Sequence, residues 1–274
     1  MGQIVGVAAT SHTFGTTEDA PETVERVSAG MAEIGRAIAD SRPDVLVIAS
    51  SDHLNNFTLD AQIALAVGIA DEYQPLGDMG VPRTPLRGNR EFGAGFAEFC
   101  AEVGFDLTPV ENILPDHGIA FPNAFSNPDG RAALVPLYLN TVMSPTPSCA
   151  RGYALGLALR RFVQTRRPEA ERVAVIGSGG LSHWVCHPRS GEVNEAWDRR
   201  VIASMISGQG AELAGLTRSD ILEEGGNGGL EIAAWAFAAG VAGNATGREI
   251  YYEPLTSWWT GMGGVLMNLD SELA

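Results

Sequence analysis

Cysteine is scarce in this chain of 274 residues. The three cysteines, Cys100, Cys149 and Cys186, are an odd number and show no CxxC spacing. This excludes a disulfide framework and a cysteine-based zinc knot as the basis of the fold. Reduced thiols of this kind predict a cytoplasmic protein.

The sequence also has no long hydrophobic run and few positively charged residues. No stretch approaches 18 uninterrupted apolar residues, and no basic segment precedes an apolar run at the N-terminus. We therefore predict neither a transmembrane helix nor a signal peptide. Lys and Arg number 18 against 33 Asp and Glu, a net charge of −15. A field of that sign repels phosphate, so neither nucleic acid nor a membrane is an expected partner.

Several common motifs of nucleotide-binding and hydrolytic enzymes are missing from the sequence. The turn after the first apolar run has no GxGxxG pattern, and neither Walker A, GxSxG nor HExxH occurs. A dinucleotide site, a phosphate-binding loop, a nucleophile elbow and a zincin-type metal site are therefore not predicted.

The apolar pattern of the chain predicts an α/β fold. The amphipathic segment 22–40 lies between the first two of four short aliphatic runs, which gives a strand, helix, strand unit. We predict one α/β domain over residues 1–274, with a central mostly parallel sheet flanked by helices and an active site at the carboxyl ends of the strands. The predicted strands are 4–9, 45–49, 132–139 and 173–176, the further helices are 91–102, 154–165, 194–207 and 231–242, and 71–89 is a predicted loop.

The positions of the histidines carry the functional signal. Only five occur, and His12, His53 and His183 each follow a predicted strand, while His117 lies in a Gly-flanked loop before another. Because the carboxyl ends of parallel strands meet at one edge of a sheet, we expect these side chains to lie close together. Neutral imidazole is the commonest protein ligand of divalent metals. Two histidines and one carboxylate with open positions suit non-haem Fe(II) and O2 chemistry.

A carboxylate has to complete such a ligand set. Glu231 opens a predicted apolar helix directly after a Gly-rich turn. A carboxylate there also suits the helix dipole, so a purely structural role is the alternative. The other candidates near Gly-rich turns are Asp52, Asp116, Glu223 and Glu224.

Short segments spread over nearly the whole chain form a recognisable pattern. Each segment is weak alone, but the order of the DHxN, DHG and GSGGLSH segments is specific. The segments are SH at 11–12, SDHLN at 51–55, DHG at 116–118, GSGGLSH at 177–183, EIAAW at 231–235, YYEP at 251–254 and WTGMG at 259–263.

With these segments the chain resembles the class III extradiol ring-cleavage dioxygenases. The resemblance implies that His12, His53 and Glu231 bind Fe(II). It implies that His183 is the catalytic base and that His117 is a second active-site histidine. The implied reaction is cleavage of a catecholic acid by O2 to a ring-opened semialdehyde.

Some positions depart from the family pattern or have a structural alternative. A leucine precedes Glu231 where members of the family often carry histidine, so Glu224 is the reserve carboxylate. Asn55 and Ser182 lie within the matching segments and are predicted to bind the substrate. Tyr252 is predicted to do the same, although the aromatic residues around it also suit the core packing of a terminal strand.

Two other functions remain open from the sequence. Zinc accepts the same ligands, so a zinc hydrolase on this scaffold is one alternative, and a non-catalytic binding protein is another. The pair His117 and His183 argues for ring cleavage. The expected partners are a small aromatic diol and O2. The chain is also predicted to be a homo-oligomer. A small helical partner subunit, which some relatives need, is the alternative.

Overall fold

The computed structural model describes residues 1–13, residue 15 and residues 20–269. This part of the chain contains ten strands and seven helices. The strands are β1 (Gln3–Thr10), β2 (Val45–Ser50), β3 (Leu65–Gly68), β4 (Glu72–Tyr73), β5 (Leu86–Arg87), β6 (Thr108–Val110), β7 (Ala133–Leu139), β8 (Arg172–Ser178), β9 (Gly247–Leu255) and β10 (Thr260–Met267). The helices are α1 (Pro21–Asp40), α2 (Arg90–Glu102), α3 (His117–Ser126), α4 (Cys149–Arg166), α5 (Glu195–Ile206), α6 (Arg218–Glu224) and α7 (Ile232–Ala242). Short 3-10 turns cover Asp78–Gly80, Gly210–Gly215, Gly228–Glu231 and Thr256–Trp258.

Eight strands form one sheet in the order β6-β3-β7-β2-β8-β1-β10-β9. The central strands β7, β2, β8 and β1 run parallel to one another, and β6 is parallel to β3. The pairs β3–β7, β1–β10 and β10–β9 are antiparallel. The four strands predicted from sequence are this parallel centre, which confirms the predicted mostly parallel sheet. Their aliphatic runs are buried on both faces, as parallel strands require.

Helices cover both faces of the sheet and divide the core into two clusters. Alternate residues of β2 point to opposite faces: Val45 and Val47 belong to one cluster, Leu46 and Ile48 to the other. The first cluster includes α2, α4, α5 and α7, and the second includes α1 and α3. Every residue of α7 is buried, because this helix packs both on the sheet and against α4. The fold is one α/β domain with helices on both sides of the sheet.

The predicted helices occur where the apolar periodicity places them, and the largest shift is α4, which begins at Cys149 instead of residue 154. Ser148 caps that helix by accepting a hydrogen bond from the backbone of Arg151 at 3.1 Å. The predicted loop 71–89 holds a small ribbon, β4 with β5, and one 3-10 turn. Among the described residues, no helix combines the length and the apolar character that crossing a bilayer requires.

The prediction that His117 lies in a loop is wrong, because this residue begins helix α3. Asp116 is the N-cap, and its Oδ1 accepts the backbone N–H of Gly118 at 3.0 Å. An aspartate at this position satisfies one of the free N–H groups of the first helical turn. Helix α3 was missed from sequence because it is short and contains Pro122.

Candidate active site

Three histidine rings lie against one another at the carboxyl ends of the central strands. His12 follows β1, His53 follows β2, and His117 begins α3 beside them. The ring centroids of His12 lie 5.1 Å from those of both His53 and His117. His53 and His117 are stacked, with centroids 4.5 Å apart. The structure thus brings together His12, His53 and His117, three of the four histidines expected at one edge of the sheet.

Glu231 reaches the same cluster from the start of α7. Its Oε1 lies 3.0 Å from Nε2 of His53, and its Oε2 lies 3.7 Å from Nε2 of His12. The backbone N–H of Gly180 donates to Oε2 at 2.8 Å. Burial alone would raise the pKa of Glu231, but the histidines around it hold that pKa well below its usual range. The carboxylate is therefore ionised in a nearly enclosed position, where the histidines around it offset the cost of burying its charge.

His12 is held as a neutral imidazole with a free Nε2. Its Nδ1 lies 2.9 Å from Oγ of Ser178. The hydroxyl of Ser178 donates to the backbone carbonyl of Gly118 at 2.7 Å, so Nδ1 of His12 is the donor in the other hydrogen bond. Burial lowers the pKa of His12 to about 3. Nε2 therefore carries a lone pair directed at the space beside Glu231, which is the state a metal ligand needs.

His53 is positioned by a second carboxylate. Nδ1 lies 2.9 Å from Oδ2 of Asp116, and the side-chain amide of Asn55 donates to the same oxygen at 2.8 Å. Burial would lower the pKa of His53, but the hydrogen bonds to Asp116 and Glu231 outweigh it and raise the pKa to about 10. A carboxylate behind the distal nitrogen orients a metal-binding imidazole and increases its basicity.

His117 has an acidic partner that the sequence analysis did not find. Its Nδ1 lies 2.5 Å from Oδ2 of Asp78, and its backbone N–H donates to Oδ1 of the same residue at 2.9 Å. Asp78 belongs to the 3-10 turn inside the segment that was predicted as a loop. Because Nδ1 is engaged by the carboxylate, Nε2 is the nitrogen of His117 that is available to a bound molecule.

His183 lies in the turn that follows β8, and its side chain is half-buried. Its Nδ1 lies 3.0 Å from the backbone carbonyl of Leu181. A carbonyl only accepts, so Nδ1 donates this hydrogen bond, and Nε2 of the neutral ring is an acceptor. The backbone of His183 is held by Gly225 and Gly228, through hydrogen bonds of 2.9 Å and 3.1 Å. A positive charge on His183 would lower the pKa of Glu231, so the two side chains share one electrostatic environment.

The predicted substrate-binding residues make hydrogen bonds to carboxylates around the cluster. Asn55 donates to Asp116, as described above. The hydroxyls of Ser182 and Tyr252 both donate to Oδ2 of Asp198, at 3.0 Å and 2.7 Å. Both side chains are buried; Ser182 belongs to the turn that carries His183, and Tyr252 belongs to β9.

The alternative carboxylates are placed differently from Glu231. Glu224 is 42% exposed and forms an ion pair with Arg200, and Glu223 is exposed. Asp52 is buried and accepts backbone hydrogen bonds from the loop that follows it. Among the described contacts, Asp116 is the one of the four that touches a histidine of the cluster, and it does so at the distal nitrogen of the ring.

The donor groups at this site fit a divalent metal ion. His12, His53 and His117 offer nitrogen atoms that all lie within 4.8 Å of one another. Glu231 offers an ionised carboxylate within 3.7 Å of two of these rings. A metal ion held by His12 and His53 would thus have two candidates for its third protein ligand, His117 and Glu231. Glu231 is the stronger candidate, because its buried charge needs a cation, whereas His117 already has Asp78 beside it.

Three positioning groups around the site were missed from sequence. They are Asp78, Ser178 and Asp198, which contact His117, His12 and Ser182 in turn. Ser178 carried a signal, since it ends a predicted strand at the same edge of the sheet as the histidines. Asp78 and Asp198 carried none, because each meets its partner through a tertiary contact from an element with no motif of its own.

Comparison with known proteins agrees with this geometry. The family model described as the catalytic LigB subunit of aromatic ring-opening dioxygenase matches residues 6–263. A 2,3-dihydroxyphenylpropionate/2,3-dihydroxicinnamic acid 1,2-dioxygenase of Photorhabdus laumondii is 28% identical, over 94% of this chain and 95% of that protein. A protein of the same name from Mycobacterium sp. is 30% identical, over 80% of this chain and 86% of that one. An uncharacterized protein from Escherichia coli K12 has the same fold, with a TM-score of 0.61 over 96% of this chain and 100% of that chain at 16% identity.

The family match and the geometry concern the same residues. The matched range includes all four histidines of the site and Glu231. The resemblance seen in the short sequence motifs is thereby confirmed. The chain belongs to the family of aromatic ring-opening dioxygenases that the catalytic LigB subunit represents.

Proposed function

We propose that the chain is a non-haem Fe(II)-dependent extradiol dioxygenase that cleaves a catecholic acid with O2 to a ring-opened semialdehyde. One observation carries the proposal: His12, His53 and Glu231 converge from three elements with their ligand atoms facing one point. Bound Fe(II) supplies a centre at which both diol oxygens and O2 are brought together. Two further histidines are proposed to supply proton transfer: His117, which packs against His12, and His183, which interacts electrostatically with Glu231.

His183 is the proposed general base. Its tautomer is set by the hydrogen bond from Nδ1 to Leu181, which leaves Nε2 free to accept a proton from a catechol hydroxyl. An imidazole suits this task because its ordinary pKa, about 6.5, lies near neutral pH. A substitution that removes the ring removes the proton acceptor and leaves the three proposed metal ligands in place.

His117 is the proposed second proton-transfer group. Asp78 holds its Nδ1 and orients the ring, so that Nε2 stabilises negative charge on a substrate oxygen and returns a proton to it. The stacked contact with His53 keeps the ring over the metal-binding histidines. The partner of the His183 ring is a carbonyl, and the partner of the His117 ring is a carboxylate. This difference suits His183 to act as the base and His117 as the acid.

We also assign Asn55, Ser182 and Tyr252 to substrate binding, as predicted from the sequence. Their hydrogen bonds to Asp116 and Asp198 support an indirect contribution, in which they shape the walls that carry the histidines. The catalytic domain is taken as residues 1–274, of which 14, 16–19 and 270–274 lie outside the described residues. A homo-oligomer, a small helical partner subunit and a cytoplasmic location remain predictions.

The test is O2 uptake after anaerobic loading of the protein with Fe(II). The panel begins with 2,3-dihydroxyphenylpropionate, because the relatives at 28% and 30% identity are named for it, and continues with protocatechuate, gallate, methylated gallate and a dihydroxypyridine. We expect uptake with at least one diol, a yellow product in equal amount, and no uptake with Zn(II) in place of Fe(II). Metal binding without uptake for any diol would favour a zinc hydrolase or a missing partner subunit.

Variants separate the metal ligands from the proton-transfer groups. Glu231→Gln is expected to lose bound metal, because the neutral amide no longer balances the cation. His183→Ala and His117→Ala are expected to keep one metal per chain and to lose turnover. Loss of metal from His117→Ala with retention in Glu231→Gln would replace the proposed ligand set by the three histidines.

A further inference from the structure

Asp198 is a buried carboxylate on α5 that has no place in the mechanism above. Its side chain is fully buried, and burial raises its pKa to about 6. It accepts three hydrogen bonds: from the backbone N–H of Ser182 at 2.8 Å, from the hydroxyl of Ser182 at 3.0 Å and from the hydroxyl of Tyr252 at 2.7 Å. Burying a carboxylate costs free energy, and well-packed apolar residues are often as stable or more so. The core alone therefore gives no reason for an acid at this position.

The strand beside Asp198 is shaped to receive this carboxylate. A Cβ atom at Gly261 of β10 would lie only 2.8 Å from Cγ of Asp198, so the close approach depends on glycine. Gly261 also pairs with the turn through its backbone, since Leu181 N–H donates to its carbonyl at 2.9 Å and its own N–H donates to the carbonyl of Ser182 at 3.0 Å. Asn194 donates its N–H to Oγ of Ser182 at 2.8 Å. Ser182 is thus held at its N–H, its carbonyl and its hydroxyl.

The held residue is the immediate neighbour of the proposed base. The ring of His183 is oriented by the carbonyl of Leu181, on the other side of Ser182. Any shift of Ser182 therefore moves both the backbone of His183 and the carbonyl that sets its tautomer. The Gly225–Gly228 segment holds His183 and, through Asn227, the residues that follow it, so the contacts made by Ser182 fix the side that precedes His183.

We propose that Asp198 is a positioning residue that holds the imidazole of His183 in its productive orientation by anchoring Ser182. The inference rests on the role proposed above for His183. It also gives one reason for the presence of Ser182 and Tyr252 in the shared sequence motifs, since both donate to the same oxygen of Asp198.

The test compares Asp198→Asn and Asp198→Ala with Glu195→Gln, an exposed carboxylate on the same helix. The asparagine variant keeps the shape and an acceptor for the Ser182 N–H, so it folds even if the alanine variant does not. A misplacement of the base by about 1 Å lowers kcat about 10²-fold, and we expect a loss of this order in Asp198→Ala and a smaller loss in Asp198→Asn. KM and metal content are expected to stay at wild-type values, and Glu195→Gln to keep wild-type kcat.

Hydrogen–deuterium exchange of the peptide covering residues 179–185 provides a second measurement that needs no turnover. Loss of the acceptor for the Ser182 N–H is expected to speed exchange in Asp198→Ala, less in Asp198→Asn, which keeps an acceptor, and not in the control. Wild-type kcat in folded Asp198→Ala, or a raised KM with unchanged kcat, would overturn the inference. So would unchanged exchange in both Asp198 variants. No O2 uptake by the wild-type protein would refute the proposed function. The exchange result would still show whether Asp198 fixes the backbone next to His183.

Discussion

Gly228→Ala is the substitution for which the structure makes the sharpest statement about His183. A Cβ atom at position 228 would lie 2.5 Å from Cε1 of the imidazole, and closer still to Nε2 and Cδ2. Ordinary contact begins at 3.4 Å, so the ring has to retreat by at least about 0.9 Å in a close-packed site. The atoms that give way are the end of a side chain, and the backbone hydrogen bond from Gly228 to His183 remains.

The expected result is a loss of rate without a loss of structure. A displacement of about 1 Å or more at the base corresponds to a fall in kcat of at least about 10²-fold. Because only a side chain moves, we expect the free energy of unfolding to change by about 1 kcal/mol or less. Bound metal is expected to stay at one per chain, since Glu231 and His53 keep their contact.

The assay is O2 uptake with Fe(II)-loaded protein, paired with metal analysis and thermal unfolding. The adjacent glycine supplies a matched control, because a Cβ atom at Gly229 would meet Trp197 at 3.3 Å and lies away from His183. Gly229→Ala should retain the wild-type kcat. Full activity of Gly228→Ala, with the methyl group in place, would show that the position of His183 does not limit the reaction.

Three further predictions concern packing, thiol reactivity and the metal site. Gly156→Ala would place a Cβ atom 2.9 Å from the backbone nitrogen of Val241, so chemical denaturation should show a loss of about 1–3 kcal/mol in the free energy of unfolding. The control is Gly95→Ala, where the nearest contact of the new Cβ atom is an ordinary 3.4 Å, and it should show no such loss. Thiol titration of the native protein should detect only Cys186, which is exposed, because Cys100 and Cys149 are buried and burial raises the pKa of each thiol to about 12. Detection of three reactive thiols before unfolding would contradict the packing. Asp116→Asn removes the carboxylate behind a metal-binding histidine, and metal titration should show an affinity about 10- to 100-fold lower, with unchanged affinity counting against the ligand assignment.

Much of the architecture could be predicted from local pattern. The central strands are aliphatic runs buried on both faces, and helix α1 shows an apolar stripe at three- and four-residue steps. Elements without such a pattern were missed. Strands β3 and β6 are four and three residues long, and helix α3 is interrupted by proline, so their placement depends on neighbours that sequence reading does not see.

The candidate site shows the same division. The sequence alone determined that His12 and His53 would meet, because each follows a strand of a parallel sheet whose carboxyl ends share one edge. It identified Glu231 through its Gly-rich turn and the family pattern. Only the tertiary structure decided which groups orient these ligands, since Asp116, Ser178 and Asp78 come from separate elements.

The physical reason lies in the range of the interactions. Hydrophobic burial is non-directional and leaves a periodic trace along the chain, so it can be read from the order of the residues. A hydrogen bond that fixes a tautomer depends on a separation of about 3 Å between atoms far apart in sequence, such as His12 and Ser178. The packing of β8, β10 and α5 decides two features of the site that the sequence did not show. These are the nitrogen of His183 that is free and the carboxylate that anchors the turn next to it.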